Sequence, residues 1–184
     1  MFTVTETQPS ASDLYATFRA RRDEAARMPQ GNLALINTAW MYGNPGEWET
    51  VWMAGGQWAA VEAGEKGIRV KATAADGVVI DGIALDGESV VFARDAEKAS
   101  AIAFSDGKTG TIIVNDEGVY GLRIWDANSD DIQNFGGIDA FAYNPDWVVT
   151  GTFTEISGGR AVEVEQVKSG GVGKEKVIPG DISF

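Results

Sequence analysis

From Asn32 onward, glycine cuts the chain into short apolar runs, and this feature constrains the fold most. The chain has 23 glycines in 184 residues, where an average composition carries about 7%. They recur without a collagen period or a low-complexity run, which implies many tight turns and many short strands. Three Asp-Gly pairs, Asp76-Gly77, Asp81-Gly82 and Asp86-Gly87, enclose Val78-Val79-Ile80 and Ile83-Ala84-Leu85. Asp-Gly favours hairpin turns because glycine accepts positive φ and aspartate tolerates it. Strands are expected at Leu33 to Trp40, Trp48 to Met53, Trp58 to Ala63, Ile68 to Ala74, Ser89 to Phe92, Ala101 to Phe104 and Thr111 to Asn115. Further runs cover Val119 to Trp125, Ile138 to Tyr143, Trp147 to Phe153, Ala161 to Val167 and Lys176 to Ile178.

About a dozen short strands without helices between them predict a mainly β fold, an antiparallel barrel or sandwich preceded by one N-terminal α-helix. A parallel α/β sheet is excluded. Residues 1–10 read as a flexible N-terminus and residues 11–29 as the helix packed on the β body, with Leu14, Phe18 and Ala25 at helical spacing. Residues 30–184 form the β-rich domain. It closes on Pro179-Gly180-Asp181-Ile182-Ser183-Phe184, a turn and the start of a strand, and so reads as truncated mid-sheet.

The residues that are missing exclude whole classes of chemistry. With no His and no Cys, the chain has no imidazole base, thiolate nucleophile, disulfide or His/Cys metal site. No cofactor and no metal are expected. Asp126-Ala127-Asn128-Ser129-Asp130 begins like a calcium loop, but Asp131 replaces the required glycine and Gly137 the closing glutamate, leaving a solvated acidic turn. The net charge of −12 argues against a phosphate backbone as partner, since Arg19, Arg21 and Arg22 are interleaved with acids. The absence of a long apolar run argues against a membrane partner, and the cytoplasm is the expected compartment.

Six tryptophans, Trp40, Trp48, Trp52, Trp58, Trp125 and Trp147, are the sharper signal. Their size favours the core, while rings exposed on one sheet face would form a stacking platform. Trp48 and Trp52 would share a face if Trp48 to Met53 is one strand. Within Gly121-Leu122-Arg123-Ile124-Trp125-Asp126, alternation puts Arg123 and Trp125 on one face with Leu122 and Ile124 inward. Such a pair either clamps an anionic ligand or stacks structurally. The candidate ligand-binding set is Trp40, Arg123, Trp125, Asp126 and Trp147. Paired carboxylates for glycoside hydrolysis stand about 5–9.5 Å apart, and Glu47, Glu49, Asp81, Asp126, Asp139 and Asp146 are possible members of such a pair.

The run from Asp13 to Phe184 resembles the first part of the domain of unknown function 1684 family in its actinobacterial form. The shared segments are Phe18-Arg19 with Arg22-Asp23, Gly31-Asn32-Leu33-Ala34-Leu35 leading to Trp40, Gly77 to Gly82 with Gly87, and Gly121 to Asp126. Phe135-Gly136-Gly137-Ile138, Pro145-Asp146-Trp147-Val148-Val149 and Pro179 to Phe184 complete the ordered set. Members usually continue into a distinctive half with Thr-Tyr-x-x-Gly-Arg and Cys-Pro-Leu-Pro-Pro motifs, which this sequence lacks. The resemblance therefore implies a short variant or fragment, and no reaction.

These observations favour a non-catalytic module that binds a small molecule or a protein. The alternatives are a carboxylate-dependent hydrolase acting on a carbohydrate-like substrate and a structural protomer. In the latter, the C-terminal strand edge pairs with a second copy to form a homo-oligomer.

Overall fold

A computed structural model describes residues 9–164 and 174–184 of the chain. The first eight residues of the expected flexible N-terminus and residues 165–167 of the expected strand Ala161 to Val167 lie outside the described residues. The chain divides into two compact units, Asp13–Asp139 and a second comprising Ala140–Phe184 with Met1–Ser12.

The larger unit is built on two antiparallel sheets. The strands are β1 (Leu35–Trp40), β2 (Gln57–Ala60), β3 (Ile68–Ala72), β4 (Val78–Ile80), β5 (Ile83–Ala84), β6 (Gly87–Val91), β7 (Ile102–Phe104), β8 (Thr109–Val114) and β9 (Tyr120–Trp125). One sheet has the order β1-β9-β8-β7-β4-β5 and the other β2-β3-β6. Strict alternation creates the inner faces. Ile68, Val70 and Ala72 point inward from β3 while Arg69 and Lys71 point out, and Leu122 and Ile124 point inward from β9. One apolar core joins both sheets, with the Trp58 ring edge-on to Phe104 at 6.4 Å between centroids. The architecture is a sandwich. The barrel alternative is corrected because β1 and β5 end the larger sheet without pairing to each other.

Only the middle Asp-Gly pair makes the expected hairpin. Asp81 (φ 50°) and Gly82 (φ 83°) form the two-residue link between β4 and β5, the backbone pattern that Asp-Gly serves best. Asp76-Gly77 instead ends a 3₁₀ turn leading from β3 in one sheet to β4 in the other, and Asp86-Gly87 leads back to β6. Their five-residue spacing reflects two crossings between layers, each requiring a sharp change of direction.

Two expected strands are absent as regular elements. Trp48 to Met53 makes only an isolated bridge between Glu49 and Trp58, and Met53 turns the chain with φ 67°. Ile138 to Tyr143 is irregular. Within Trp147 to Phe153, Asn144 caps a 3₁₀ turn over Pro145–Trp147 by accepting from the Asp146 N–H, so strand geometry begins only at Thr152. Local side-chain capping outcompetes a weak apolar run there.

The N-terminal helix, α1 (Ala11–Ala26), buries none of its side chains. Leu14 and Phe18 are exposed, so polar contacts rather than an apolar stripe hold it. Asp23 accepts from the Ile138 N–H at 2.9 Å and Arg19 donates to the Ile138 carbonyl at 3.2 Å, one helical turn apart. Arg27 donates to the Phe135 carbonyl and lies 4.8 Å from the Phe135 ring. A short helix, α2 (Asp130–Gln133), is capped by Ser129, whose hydroxyl accepts from the Ile132 N–H and donates to the Leu33 carbonyl.

The smaller unit is an antiparallel ribbon of β10 (Thr152–Val164) and β11 (Lys174–Ser183). No described side chain from Ala140 onward is buried.

The core predicts its own sensitivity. Trp58→Ala is expected to lower unfolding stability by about 3–5 kcal/mol, whereas Trp52→Ala, at a position 65% exposed, should change it by less than about 0.5 kcal/mol. Urea denaturation monitored by circular dichroism measures both.

Candidate functional site

An antiparallel sheet that covers a core on one face normally carries charged or polar side chains on the other. The six-stranded sheet departs from this pattern. Cross-strand pairing places Leu35, Trp125, Thr109, Ala103, Val79 and Ala84 in one row on the face away from the core. Thr38, Arg123 and Thr111 form a second row, and Trp40, Gly121 and Ile113 a third. Arg123 is the single charged side chain among these positions, and the central ones are half-buried except Gly121, which is buried.

Three of the candidate residues, Trp40, Arg123 and Trp125, therefore share this outward face. Glycine at 121 makes room for one of them, because a Cβ there would lie 2.7 Å from the Trp40 ring. A strand glycine of this kind marks close approach of another group. Trp125 is oriented by its indole N–H, which donates to the Thr111 hydroxyl at 2.9 Å across β8. Arg123 does not stack on Trp125. Among the described residues, the rings that carry a cation are Phe18, Phe135 and Trp48, the last with Arg69 at 5.2 Å and Lys71 at 5.9 Å.

Arg123 has no hydrogen bond or ion pair among the described residues, and its Nε is buried without an acceptor. Leaving a buried donor unpaired costs about 1–3 kcal/mol.

Asp126 does not share this face, and Trp147 is in the smaller unit. Asp126 follows β9 with opposite parity. Its N–H donates to Ala34, and its carboxylate accepts from the Asn128 N–H and stands 3.9 Å from Lys108 Nζ. The following residues turn the chain into α2, with the Ser129 N–H donating to the Asp126 carbonyl. Trp147 belongs to the smaller unit and is 84% exposed. The expectation that the tryptophans mostly fill the core is corrected, since Trp58 alone is fully buried. The indoles are spread because the run from Trp48 to Met53 leaves the sheet.

Next to the Arg123 row, the outward face sinks into a trough of about 410 Å³. Its floor is Val79, Ala103, Thr109 and Thr111, whose short side chains leave the space, and Arg94 and Gln30 contribute to its walls. Arg94 is the only charged residue lining it and has no ion pair or hydrogen bond among the described residues. Sequence reading missed this feature. Its signal, short uncharged residues on adjacent strands, emerges only once the strand register is known.

Three exposed acids are held in their charged form. Hydrogen bonds from Asn44 hold Glu47 below the usual carboxylate range. The Thr73 N–H and hydroxyl do the same for Asp76, and Lys108 Nζ does so for Asp106. Asp76 lines a separate hollow of about 430 Å³ together with Asp86, but a carboxyl held down in this way is the wrong group to donate a proton. Burial, reinforced by the Asp95 carboxylate, pushes Tyr120 up. Among the described residues, no cluster of acids could hold a metal ion, and no helix is long and apolar enough to cross a membrane.

No family model, curated protein or solved structure matches this chain.

The fit of Trp40 over Gly121 is testable. Gly121→Ala is expected to cost about 1–3 kcal/mol through overpacking and to alter tryptophan emission. Urea denaturation and steady-state fluorescence would show both effects, and unchanged emission would mean that the Trp40 ring does not rest on Gly121.

Proposed function

We propose that the protein is a non-catalytic binding module whose ligand lies on the outward face of the six-stranded sheet, against Trp40, Arg123 and Trp125. The observation that carries this reading is the charge-poor outward face, whose one charged side chain, Arg123, keeps a buried donor without an acceptor. Trp40 and Trp125 offer broad apolar surface beside it, and a ligand acceptor at Arg123 would remove the cost of the unpaired Nε. The proposed kinship with the domain of unknown function 1684 family adds no reaction to this reading.

Indole fluorescence provides the test. Titration with glucose, octanedioate and adenosine monophosphate is expected to give a saturable emission shift with at least one of them, and Arg123→Ala should weaken that binding at least tenfold. No saturable response to any of the three would overturn the reading.

A second reading, a structural protomer that pairs through its C-terminal unit, is favoured by a separate observation. Phe141, Trp147, Val148, Val149, Phe153, Val164, Val177, Ile182 and Phe184 are all exposed, and no described side chain of that unit from Ala140 onward is buried. A lone two-stranded ribbon is marginal in water, and its open edges invite pairing. Light scattering coupled to size exclusion is expected to show a dimer or larger species, and a monodisperse monomer at all concentrations would contradict this reading.

A further inference from the structure

The trough and the Arg123 row are neighbours on one sheet face. Thr111 lines the trough and pairs directly with Arg123 on β9, while Arg94 lines the trough itself. The trough floor therefore adjoins the Arg123 row at Thr111 and has Arg94 in its lining, and neither guanidinium has an ion pair or hydrogen bond among the described residues. This is notable in a chain with 27 acids and 15 bases. Two of the acids on the bordering loops are engaged elsewhere, while Glu97 has no ion pair or hydrogen bond among the described residues. Asp81 accepts from the Ala101 N–H and stands 3.9 Å from Lys98, and Asp95 accepts from the Tyr120 hydroxyl and pairs with Lys66 at 3.7 Å.

We infer that this face binds a linear dicarboxylate of medium chain length, one carboxylate on Arg94, the other on Arg123, and the methylene chain on the floor of Val79, Ala103, Thr109 and Thr111. The inference deepens the proposed function and rests on that reading of the outward face. Several features determine the class. A guanidinium suits a carboxylate because its fork of donors matches two oxygens. Val79, Ala103 and the threonine methyl groups suit methylenes. The volume of about 410 Å³ falls within the range of small-ligand sites, about 300–1,000 Å³. Length follows from the floor, since Val79 on β4 and Thr111 on β8 stand two interstrand spacings apart, about 10 Å, roughly the extent of an eight-carbon chain.

Isothermal titration calorimetry on the full chain separates the outcomes, with octanedioate, octanoate and octanamide as probes. Octanedioate is expected to bind with a one-to-one stoichiometry at least tenfold more tightly than octanoate, and octanamide more weakly than either. Arg94→Gln and Arg123→Gln should each erase the preference for the diacid. Because Arg94 is exposed, its variant keeps the test valid even if Arg123→Gln unfolds, as checked by circular dichroism. Ala103→Phe, which fills the floor, should abolish binding of both acids. Equal affinity for octanedioate and octanoate would overturn the inference, as would an Arg94→Gln variant that binds the diacid like the parent chain. A saturable indole response to glucose or adenosine monophosphate with no heat from either acid would overturn this ligand class while the binding-face reading stands. Silence from every probe would overturn both.

Discussion

Everything in the larger unit depends on the contact between the inner faces of the two sheets, centred on Trp58. This chain has no disulfide to fall back on, because it contains no cysteine. Its order must therefore come from burial. Trp58, Ile68, Val70, Val78, Val91, Leu122 and Ile124 are all fully enclosed. Once these side chains face inward, the period of two along each strand dictates what faces outward. Position 123 is directed away from the core because 122 and 124 are directed into it.

That coupling gives the outward face its interest. On the three-stranded sheet, the alternate positions behave as a solvated surface should, with Arg69 paired to Glu88 at 2.7 Å and Lys71 beside the same acid. On the six-stranded sheet, the corresponding positions carry alanine, valine, threonine and tryptophan. The two sheets share a core, a charge balance and a chain, so the contrast is a property of the second face itself. A charge-poor sheet face with an unpaired guanidinium is costly to maintain in water, and a ligand that covers it would offset that cost.

Much of the fold could be read in the sequence, for identifiable reasons. The alternation of Ile68, Val70 and Ala72 with Arg69, Lys71 and Thr73 announced β3, and the parity of Arg123 and Trp125 followed from Leu122 and Ile124 in the same way. The Asp81-Gly82 turn was legible because both residues accept positive φ. Where the reading failed, a local interaction outcompeted an apolar pattern. Asn144 and Pro145 build a 3₁₀ turn, and Met53 reverses the chain after Trp52. The roles of Arg19 and Asp23 could not be read, since they depend on the Ile138 backbone, more than a hundred positions away. The trough was likewise hidden, because Val79, Ala103 and Thr109 become neighbours only through antiparallel pairing of three strands.

The claim that the outward face of the six-stranded sheet is where a ligand sits can be tested without altering the protein. Two-dimensional ¹H–¹⁵N NMR resolves the indole N–H of each of the six tryptophans. During titration with octanedioate, the account predicts progressive shifts of the Trp125 and Trp40 resonances, with Trp58 in the core unmoved. Shifts at Trp52 with Trp40 and Trp125 stationary would contradict it.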